Sequence, residues 1–310
     1  MAALGRNAPA DSRQVLKSGH YANVVRIGDD TGIAITTDGV GTKLVIAEQL
    51  GRWDTVGIDC VAMNVNDVIC VGAEPIAMVD YLAVDVADAD VAAAIGEGLA
   101  RGAELAGIEI VGGELAQLGE LIRGLDLAGA CIGVVPLNAM ITGSAIEAGD
   151  ALIGLPSSGL HSNGYTLARR ALADVPLDDE RLGRPLGEVL LEPTEIYVKP
   201  VLELIRSDVD VRGLAHLTSG GVDNLLRLEA DVGYEIDSAL AVPPVFELIS
   251  ELGGVSDEEM HEVFNMGCGF ACVVAAADEG AALESLRGPY PSAARIGSVT
   301  GEGGSVVRSG

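Results

Sequence analysis

The stretch from Ile33 to Leu50, IAITTDGVGTKLVIAEQL, carries a strand pattern, a glycine turn and a helix pattern in one continuous run. The side chains alternate in character from Ile33 to Thr37, as in a half-buried strand, and Asp38 ends that run. Gly39 and Gly41 follow, and without a Cβ they let the backbone turn sharply and come close to a ligand. The pattern predicts a strand-to-helix connection at which the chain can contact a bound molecule.

A hydroxyl and an ammonium group stand at the start of the predicted helix. Thr42 and Lys43 come directly after the glycines, and apolar residues recur at helical spacing from Leu44 to Leu50. This set suits a polyphosphate with a divalent cation, because the helix amides and the ammonium take phosphate oxygens while the carboxylate takes the metal. An ordinary tight connection that uses glycine fits this segment equally well.

The segment from Asp54 to Gly72, DTVGIDCVAMNVNDVICVG, predicts a mostly apolar helix with Asp54 as its N-cap and Gly72 as its stop. Asp59, Asn66 and Asp67 fall at i, i+7 and i+8, so they share one face. A helix that is apolar on its other sides is buried, and buried carboxylates need partners. These acids are either satisfied core groups or functional, metal-bound groups, and their placement favours the second interpretation.

Strand and helix patterns alternate through the first half of the chain. A strand is predicted over 75–85, a helix over 87–107 and a strand over 125–135. This alternation predicts an α/β or α+β sheet protein. The pattern breaks near residue 141, so we predict an N-terminal domain of residues 1–141 and a C-terminal domain of residues 142–310.

A further carboxylate follows a pair of glycines. A short strand is predicted from Ile108 to Val111, stopping at the sequence Gly112, Gly113, Glu114. We therefore expect these three residues at the end of a strand, where open α/β folds place ligand contacts.

The second half contains a turn rich in small polar residues, PSSGLHSNGY, between a predicted strand and a helix that begins near Ser162. His161 and Asn163 project from this turn. His161 is suited to general acid/base work or to contact with phosphate, and a histidine in such a turn is less often a core residue than one on an apolar face. His216, which ends a strand before a second glycine turn, fits a core role or a functional role.

The charge of the chain is extreme. The formal net charge is -27 and the sequence pI is about 4.3, so we expect no binding to nucleic acid or to anionic membranes. The acidic residues are spread along the chain, which is typical of the solvated surfaces of halophilic proteins. Lysine occurs only as Lys17, Lys43 and Lys199, which makes the lysine beside the glycine turn conspicuous.

The five cysteines are odd in number, lie mostly in apolar runs and form no CxxC pair. They are therefore expected to be buried free thiols. The sequence shows no apolar run of membrane-spanning length and no secretory signal, so we expect a cytoplasmic protein.

Taken in order, the segments of this chain resemble the phosphoribosylformylglycinamidine cyclo-ligases, the aminoimidazole ribonucleotide synthetases of purine biosynthesis. The resemblance covers about residues 19–297, and GHYANVVRIGD near the N-terminus is similar to the archaeal branch. Nine motifs in register carry it: TTDGVGTK (36–43), DTVGIDCVAMNVND (54–67), GAEPIAMVDY (72–81), GGE (112–114), DLAG (126–129), GLPSSGLHSNGY (154–165), LLEPTEIYVKPVL (190–202), GLAH (213–216) and FNMG (264–267).

The resemblance implies an ATP-dependent ring closure. ATP phosphorylates the formyl amide oxygen of formylglycinamidine ribonucleotide, and the amidine nitrogen then attacks the activated carbon and releases phosphate. The family fold has two domains, with a C-terminal α/β sandwich and an N-terminal sheet that pairs with its copy in a homodimer to form a barrel.

The resemblance also implies roles for individual residues. His161, Asn163 and Lys43 are the candidate catalytic residues, at the substrate or the transferred phosphate. Asp38, Asp67 and Glu114 are the candidate magnesium ligands. The candidate ATP-binding residues are Asp38, Gly39, Gly41, Thr42, Lys43, Asp59, Asp67, Gly113 and Glu114.

The chain departs from the usual family pattern at Leu115, Gly119 and Ser219 and in the N-terminal segment. Three alternatives therefore stay open: a non-catalytic ATP-binding regulatory paralogue, a thiamine monophosphate kinase and a selenophosphate synthetase. The last normally uses an N-terminal cysteine or selenocysteine, whereas the first cysteine here is Cys60.

Overall fold

The computed structural model describes residues 12–16 and 19–309. These residues form two β-sheets with helices packed on them, which confirms the predicted mixed α/β class. The first sheet uses residues 23–136 and the second uses residues 151–308. The predicted boundary between residues 141 and 142 falls in the connection between the sheets. The start of the predicted first domain, residues 1–11, lies outside the described residues.

The first half of the chain forms a five-stranded sheet. Its strands are β1 (Asn23–Arg26), β2 (Thr31–Gly39), β3 (Glu74–Val84), β4 (Glu109–Gln117) and β5 (Leu125–Pro136). In the sheet they lie in the order β1-β2-β5-β3-β4. Only the β3–β4 pair is parallel, and a helix connects its two strands, as a parallel pair requires. The helices of this half are α1 (Leu44–Leu50), α2 (Val56–Ile69) and α3 (Ala89–Ala106).

The second half forms a six-stranded sheet. Its strands are β6 (Ala151–Pro156), β7 (Val211–His216), β8 (Gly233–Ile236), β9 (Cys268–Val274), β10 (Ala294–Thr300) and β11 (Val306–Arg308). They lie in the order β11-β8-β10-β6-β9-β7, so β9 separates β6 from β7. The helices are α4 (Tyr165–Ala171), α5 (Leu186–Leu190), α6 (Val198–Ile205), α7 (Pro244–Gly253), α8 (Asp257–Val263) and α9 (Glu279–Arg287).

Helix α2 lies between the two halves. It packs on β2, β3 and β5 of the first sheet, against α3, and against α6 and β7 of the second half. All of its residues are buried except Ile58 and Asp67, which are half-buried. The predicted buried helix is therefore confirmed, and its polar side chains have no route to bulk water except at its C-terminal end.

Local differences from the sequence prediction have simple backbone causes. Strand β4 continues through Gly112 and Gly113 to Gln117, because pairing with β3 supplies hydrogen-bond partners beyond the glycines. Helix α4 begins at Tyr165 and not near Ser162, because the residue before it, Gly164, adopts a left-handed conformation with φ of 74°. The N-cap of α2 is Thr55 and not the predicted Asp54.

The five cysteines are all buried and free, as predicted. None of the helices within the described part of the chain has the length and apolar character needed to cross a bilayer.

The backbones of α2 and α3 touch where glycines face each other. A Cβ added at Gly98 would lie 2.5 Å from the carbonyl oxygen of Asp54 and 3.1 Å from Cα of Gly57. Backbone atoms cannot move aside as a flexible side chain can, so this crossing has no room for a methyl group.

We expect Gly98→Ala to lower the free energy of unfolding by about 1–3 kcal/mol, because overpacking forces the helices apart. The matched control is Gly96→Ala in the same helix, where an added Cβ meets no atom within 4 Å. That change is expected to stabilise the protein by about 0.4–1 kcal/mol. Urea unfolding of both variants measures the difference, and a neutral Gly98→Ala would contradict the described crossing.

Candidate active site

A fully buried ion pair lies at the N-terminal end of α2. Nζ of Lys43 lies 2.9 Å from Oδ1 and 2.9 Å from Oδ2 of Asp59, and both side chains are inaccessible to solvent. The same Nζ donates to the backbone oxygens of His161 at 3.2 Å and Glu192 at 2.6 Å. Burial lowers the pKa of the Lys43 ammonium, and the negative charge of Asp59 opposes that shift. All the protons of the ammonium therefore have acceptors inside the protein.

Lys43 and Asp59 both make their contacts inside the protein. A side chain that binds phosphate must offer a donor that the phosphate can reach. Lys43 is fully buried, and its ammonium group already donates to three acceptors within the protein. Oδ1 of Asp59 accepts hydrogen bonds from the backbone N and Oγ1 of Thr194, both at 2.7 Å, and from Oγ of Ser162 at 3.2 Å. In this arrangement the two side chains join the two halves of the chain.

Asp38 ends β2 beside the middle of α2. Asn64 on the helix accepts from the backbone N of Asp38 at 3.0 Å and donates to its backbone oxygen at 3.1 Å. The carboxylate accepts from the backbone N of Gly39 at 2.8 Å. Burial raises the pKa of Asp38; the Gly39 N–H opposes this shift, and the negative charge of Asp67 adds to it. Two neighbouring carboxylates of this kind suit a divalent cation.

Asp67 lies at the solvent-facing end of α2 and is paired with a histidine from the second sheet. Nδ1 of His216, at the end of β7, lies 2.9 Å from Oδ1 of Asp67. The imidazole of His216 is fully buried, whereas 14% of the Asp67 side chain stays exposed. His216 is therefore a buried residue whose ring contacts one of the candidate magnesium ligands.

His161 lies in the turn after β6 with its side chain buried. Its residue exposure is only 1%, so the expectation that a histidine in this turn avoids the core is wrong. Space for the ring comes from Gly269 on β9, where an added Cβ would lie 2.5 Å from Cε1 of His161. Nε2 accepts a hydrogen bond from the backbone N of Ser158 at 3.3 Å, which leaves the proton of a neutral ring on Nδ1. Burial lowers the pKa of His161 well below its usual value, and the positive charges of His216 and Lys43 lower it further.

Oδ2 of Asp59 accepts no hydrogen bond but is compensated by the ion pair with Lys43 at 2.9 Å. Three further buried polar atoms in this region have no hydrogen-bond partner among the described residues: Nδ1 of His161, Nδ2 of Asn163 and Nε2 of His216. These atoms belong to the turn after β6 and to the last residue of β7. Both strands run antiparallel to β9, so their C-terminal ends lie at the same end of the second sheet. Buried polar groups are normally hydrogen-bonded, so three orphaned atoms together mark the place where a ligand completes the bonding.

The glycine turn stays open to a ligand. Gly41 has φ of 69°, and a Cβ built on it would meet no atom within 4 Å. Thr42 is exposed, with Oγ1 3.3 Å from Oγ1 of Thr166 across the junction of the two halves. Gly41 and Thr42 therefore lie on a part of the turn that a ligand can reach.

Gly113 and Glu114 do not join this group. In the sheet register, Asp38 pairs with Gly129, Gly129 pairs with Asp80, and Asp80 pairs with Gly113, so Gly113 is three strands away from Asp38. The Asp80 carboxylate fills the space beside Gly113, since an added Cβ would lie 2.2 Å from its Oδ1. Glu114 is the next residue along β4 and points to the opposite face of the sheet.

The predicted three-carboxylate metal set is therefore not assembled by one chain. Within residues 12–16 and 19–309, no three His, Cys, Asp or Glu side chains are grouped closely enough to hold a metal ion. The negative charge of Asp67 contributes to the raised pKa of Asp38, whereas Glu114 lies on β4, three strands away from Asp38.

Several residues that build the site were not predicted from the sequence. Asn64 carries the same signal as the acids of α2, because a polar residue inside an apolar helix needs a buried partner. Asn265, the only polar side chain in its segment, holds the turn by donating to the backbone oxygen of Gly159 at 2.9 Å and accepting from Oγ of Ser157 at 3.0 Å. Thr194 gives no signal of its own in the sequence.

Comparison with known proteins identifies the family. Residues 19–135 match the profile described as "AIR synthase related protein, N-terminal domain", and residues 147–310 match "AIR synthase related protein, C-terminal domain". The chain belongs to the AIR synthase related family. The resemblance drawn from the sequence motifs is confirmed.

Two archaeal relatives share one name. The chain is 52% identical over 294 residues to the phosphoribosylformylglycinamidine cyclo-ligase of Methanothermobacter thermautotrophicus, covering 93% of this chain and 86% of the relative. It is 53% identical over 292 residues to the protein of the same name from Thermococcus kodakarensis, covering 92% and 84%. The family fold also occurs in the hydrogenase maturation protein HypE in complex with ATP, with a TM-score of 0.65 and 18% identity over 92% of this chain and 83% of that one.

The buried neutral state of His161 predicts a specific dependence of stability on pH. Below about pH 6.5 this imidazole binds a proton in the unfolded chain. In the folded protein it stays neutral, because burial lowers its pKa. The unfolded state then binds more protons, so acidification below about pH 6.5 lowers the free energy of unfolding by up to about 1.4 kcal/mol per pH unit from this group. His161→Gln removes that contribution.

Urea unfolding between pH 7.5 and pH 5 tests this expectation. The stability of the wild type should fall more steeply on acidification than that of His161→Gln. His261→Gln, at a partly exposed position on α8, serves as the control and should follow the wild type. Parallel curves for the wild type and His161→Gln would show that the ring is not held neutral.

Proposed function

We propose that this protein is a phosphoribosylformylglycinamidine cyclo-ligase that closes the imidazole ring of aminoimidazole ribonucleotide at the expense of ATP. The observation that carries the proposal is the identity of more than half of the aligned residues to relatives of that name over 92–93% of the chain. The site adds independent support, because its orphaned polar atoms and paired carboxylates suit a phosphorylated ligand with a cation.

The proposed reaction has two steps. The terminal phosphoryl group of ATP is transferred to the formyl amide oxygen of formylglycinamidine ribonucleotide. The amidine nitrogen then forms a bond to the activated carbon, the C–O bond to phosphate breaks, and a proton leaves the nitrogen. The protein must hold the two reacting groups of the substrate close together and stabilise the charge of the transferring phosphoryl group.

Asp38 and Asp67 are the residues we assign to the magnesium ion that accompanies ATP. Their fit rests on three observations: the negative charge of Asp67 acts on Asp38, the side chain of Asp67 is partly exposed, and each carboxylate has only one oxygen bonded within the described residues. A bound magnesium ion supplies positive charge for the phosphate oxygens. His216 orients the Asp67 carboxylate through its Nδ1 contact. Gly39, Gly41 and Thr42 contact the nucleotide through the open turn.

Arg227 replaces Lys43 as the proposed cation for the phosphates. It is exposed, its guanidinium carbon lies 4.9 Å from the centre of the Tyr21 ring, and its positive charge lowers the pKa of Asp38. A guanidinium near a carboxylate–magnesium site can bind phosphate oxygens through two parallel hydrogen bonds.

His161 and Asn163 are the proposed catalytic residues. Nδ1 of a neutral His161 carries a proton with no internal acceptor, and Nδ2 of Asn163 is a second free donor. Two donors without partners are suited to the oxygens of the transferring phosphoryl group, which carry negative charge during transfer, and to the phosphate that leaves in the second step. His161 thus acts as a hydrogen-bond donor and not as a charged acid.

The alternatives are less well supported. A thiamine monophosphate kinase, a selenophosphate synthetase and a regulatory paralogue share the fold, but relatives at about half identity over most of the chain share the name cyclo-ligase. We place the enzyme in the cytoplasm, where its substrate class occurs, and we expect its acidic surface to require high salt.

We also propose that the enzyme is a homodimer through the outer face of the first sheet. This face, opposite to α2, exposes Ile35, Val79 and Tyr81 to between 42% and 44%. In the register, Val79 pairs with Ala130 and Ile35 pairs with Ile132 on β5, so the apolar side chains form one continuous surface. A contiguous exposed apolar face of this kind marks a protein–protein interface.

Turnover tests the proposed reaction. Purified protein in high potassium chloride with magnesium and ATP is expected to release ADP and phosphate only when formylglycinamidine ribonucleotide is present, with one ring product per ADP. Asp67→Asn is expected to lower kcat/KM at least about 100-fold and to raise the magnesium requirement, because the metal loses a carboxylate. The exposed Asp237→Asn is the control and should behave as the wild type.

Two results would contradict this assignment. Binding of ATP without turnover would favour the regulatory paralogue. ADP release with thiamine monophosphate or selenide in place of the ribonucleotide would favour one of the other activities of the superfamily.

The dimer proposal has its own test. Val79→Asp is expected to convert the dimer to a monomer in size-exclusion chromatography with light scattering, because a buried unpaired carboxylate is strongly unfavourable at an interface. Val307→Asp, at a position on β11 that is 50% exposed, is the matched control. An unchanged mass for Val79→Asp would place the interface elsewhere.

A further inference from the structure

We propose that the buried pair Lys43 and Asp59 is a positioning device that holds the turn over 158–163 and thereby orients the imidazole of His161. The functional part of this inference rests on the proposed reaction, whereas the positioning itself is a property of the turn. Neither member of the pair touches the ligand site; both act through the backbone and side chains of the turn.

The pair forms hydrogen bonds with two consecutive residues of the turn, His161 and Ser162. Nζ of Lys43 donates to the backbone oxygen of His161 at 3.2 Å, and Oδ1 of Asp59 accepts from Oγ of Ser162 at 3.2 Å. Both donors and acceptors are inaccessible to solvent, so water cannot replace these bonds. The ring of His161 and the amide of Asn163 lie directly before and after Ser162, which ties both proposed catalytic side chains to the pair.

The same pair holds a second segment against the turn. Asp59 accepts from the backbone N and Oγ1 of Thr194, and Lys43 donates to the backbone oxygen of Glu192. Ser158 closes the arrangement by donating from Oγ to the backbone oxygen of Pro193 at 2.5 Å. The turn over 158–163 is therefore held by two groups of residues. Lys43 and Asp59 bond to His161 and Ser162, and Pro193 of the 192–194 segment bonds to Ser158.

The backbone of the turn needs such support. His161 has φ of 60°, in the left-handed region that a residue with a Cβ rarely adopts. A strained residue persists only where its surroundings determine it from several directions, and such strain is concentrated at functional sites. Relaxation of this angle would rotate the ring away from the Ser158 amide and the space over Gly269.

Stability alone does not account for the pair. Transfer of two charges to a fully buried position is unfavourable, and well-packed apolar residues of similar size often stabilise a protein equally well or better. What an apolar pair cannot provide is a set of directed hydrogen bonds to His161, Ser162 and Thr194. The role that requires the charged pair is therefore geometric.

The double variant Lys43→Met with Asp59→Leu separates the two roles. Single substitutions leave a buried unpaired charge and are expected to unfold the protein, whereas the double variant removes both charges together. We expect it to fold and to bind ATP as the wild type does, with kcat lowered about 100-fold because the donors of the turn are displaced. The matched control is Arg206→Met with Glu74→Leu, which removes an exposed ion pair between the same two halves and should leave kcat unchanged.

A spectroscopic measurement reports on positioning without turnover. The chain has four histidines, so protein labelled with ¹⁵N in the imidazole rings gives four sets of ring signals, which single His→Gln variants assign. In the double variant we expect the His161 signals to shift or broaden while those of His20 and His261 stay in place. Wild-type His161 signals together with wild-type kcat in the double variant would overturn the proposal.

Two further results keep the test decisive. If the double variant does not fold, Ser162→Ala removes one bond to the turn while both charges stay paired; it is expected to lower kcat about tenfold and to shift the His161 ring signals, and unchanged ring signals would overturn the proposal. Absence of wild-type turnover with formylglycinamidine ribonucleotide would reject the proposed function, and the ring signals would still decide whether the pair positions His161.

Discussion

A helix that is buried along nearly its whole length and still carries polar side chains determines how this protein is assembled. Helix α2 has no water to satisfy Asp59, Asn64 and Asn66, so the rest of the chain must supply their partners. Those partners come from both halves: the end of β2 for Asn64, and the segment 194–197 for Asp59 and Asn66. Satisfying the helix therefore brings the glycine turn and the second sheet together.

The assembled site is electrostatically incomplete in a way that favours a charged ligand. Asp38 and Asp67 place negative charge side by side, and burial raises the pKa of Asp38. In the turn after β6, His161 is held neutral, and its Nδ1 has no hydrogen-bond partner among the described residues. The protein thus offers anionic oxygens for a cation and neutral donors for an oxygen that gains charge, which is the division of labour that phosphoryl transfer needs.

The two faces of the first sheet serve different purposes. The inner face packs on α2 and carries Asp38 at its edge, whereas the outer face exposes Val79, Tyr81 and Ile35. Because successive residues of a strand point to opposite faces, a shift of one residue would exchange these two surfaces. The two hydrogen bonds between the Asn64 side chain and the backbone of Asp38 hold β2 in its register against α2.

The sequence by itself determined the elements and most of the chemistry. The period-two pattern before Asp38 and the apolar run around Asp59 and Asp67 identify β2 and the buried helix, because local periodicity and burial are encoded in neighbouring residues. Nine motifs in register also determined the family. Only the tertiary structure decided which polar groups pair with each other and which keep no partner among the described residues. Lys43 follows a glycine turn, as a phosphate-binding lysine would. Its ammonium group, however, forms an ion pair with the carboxylate of Asp59, 16 residues further along the chain. Glu114 follows two glycines as a site residue would, but strand order and the alternation of side chains place it on the opposite face. The pairing of Lys43 depends on a contact between distant segments, and the position of Glu114 depends on which face of the sheet its side chain occupies. A linear sequence pattern contains neither kind of information.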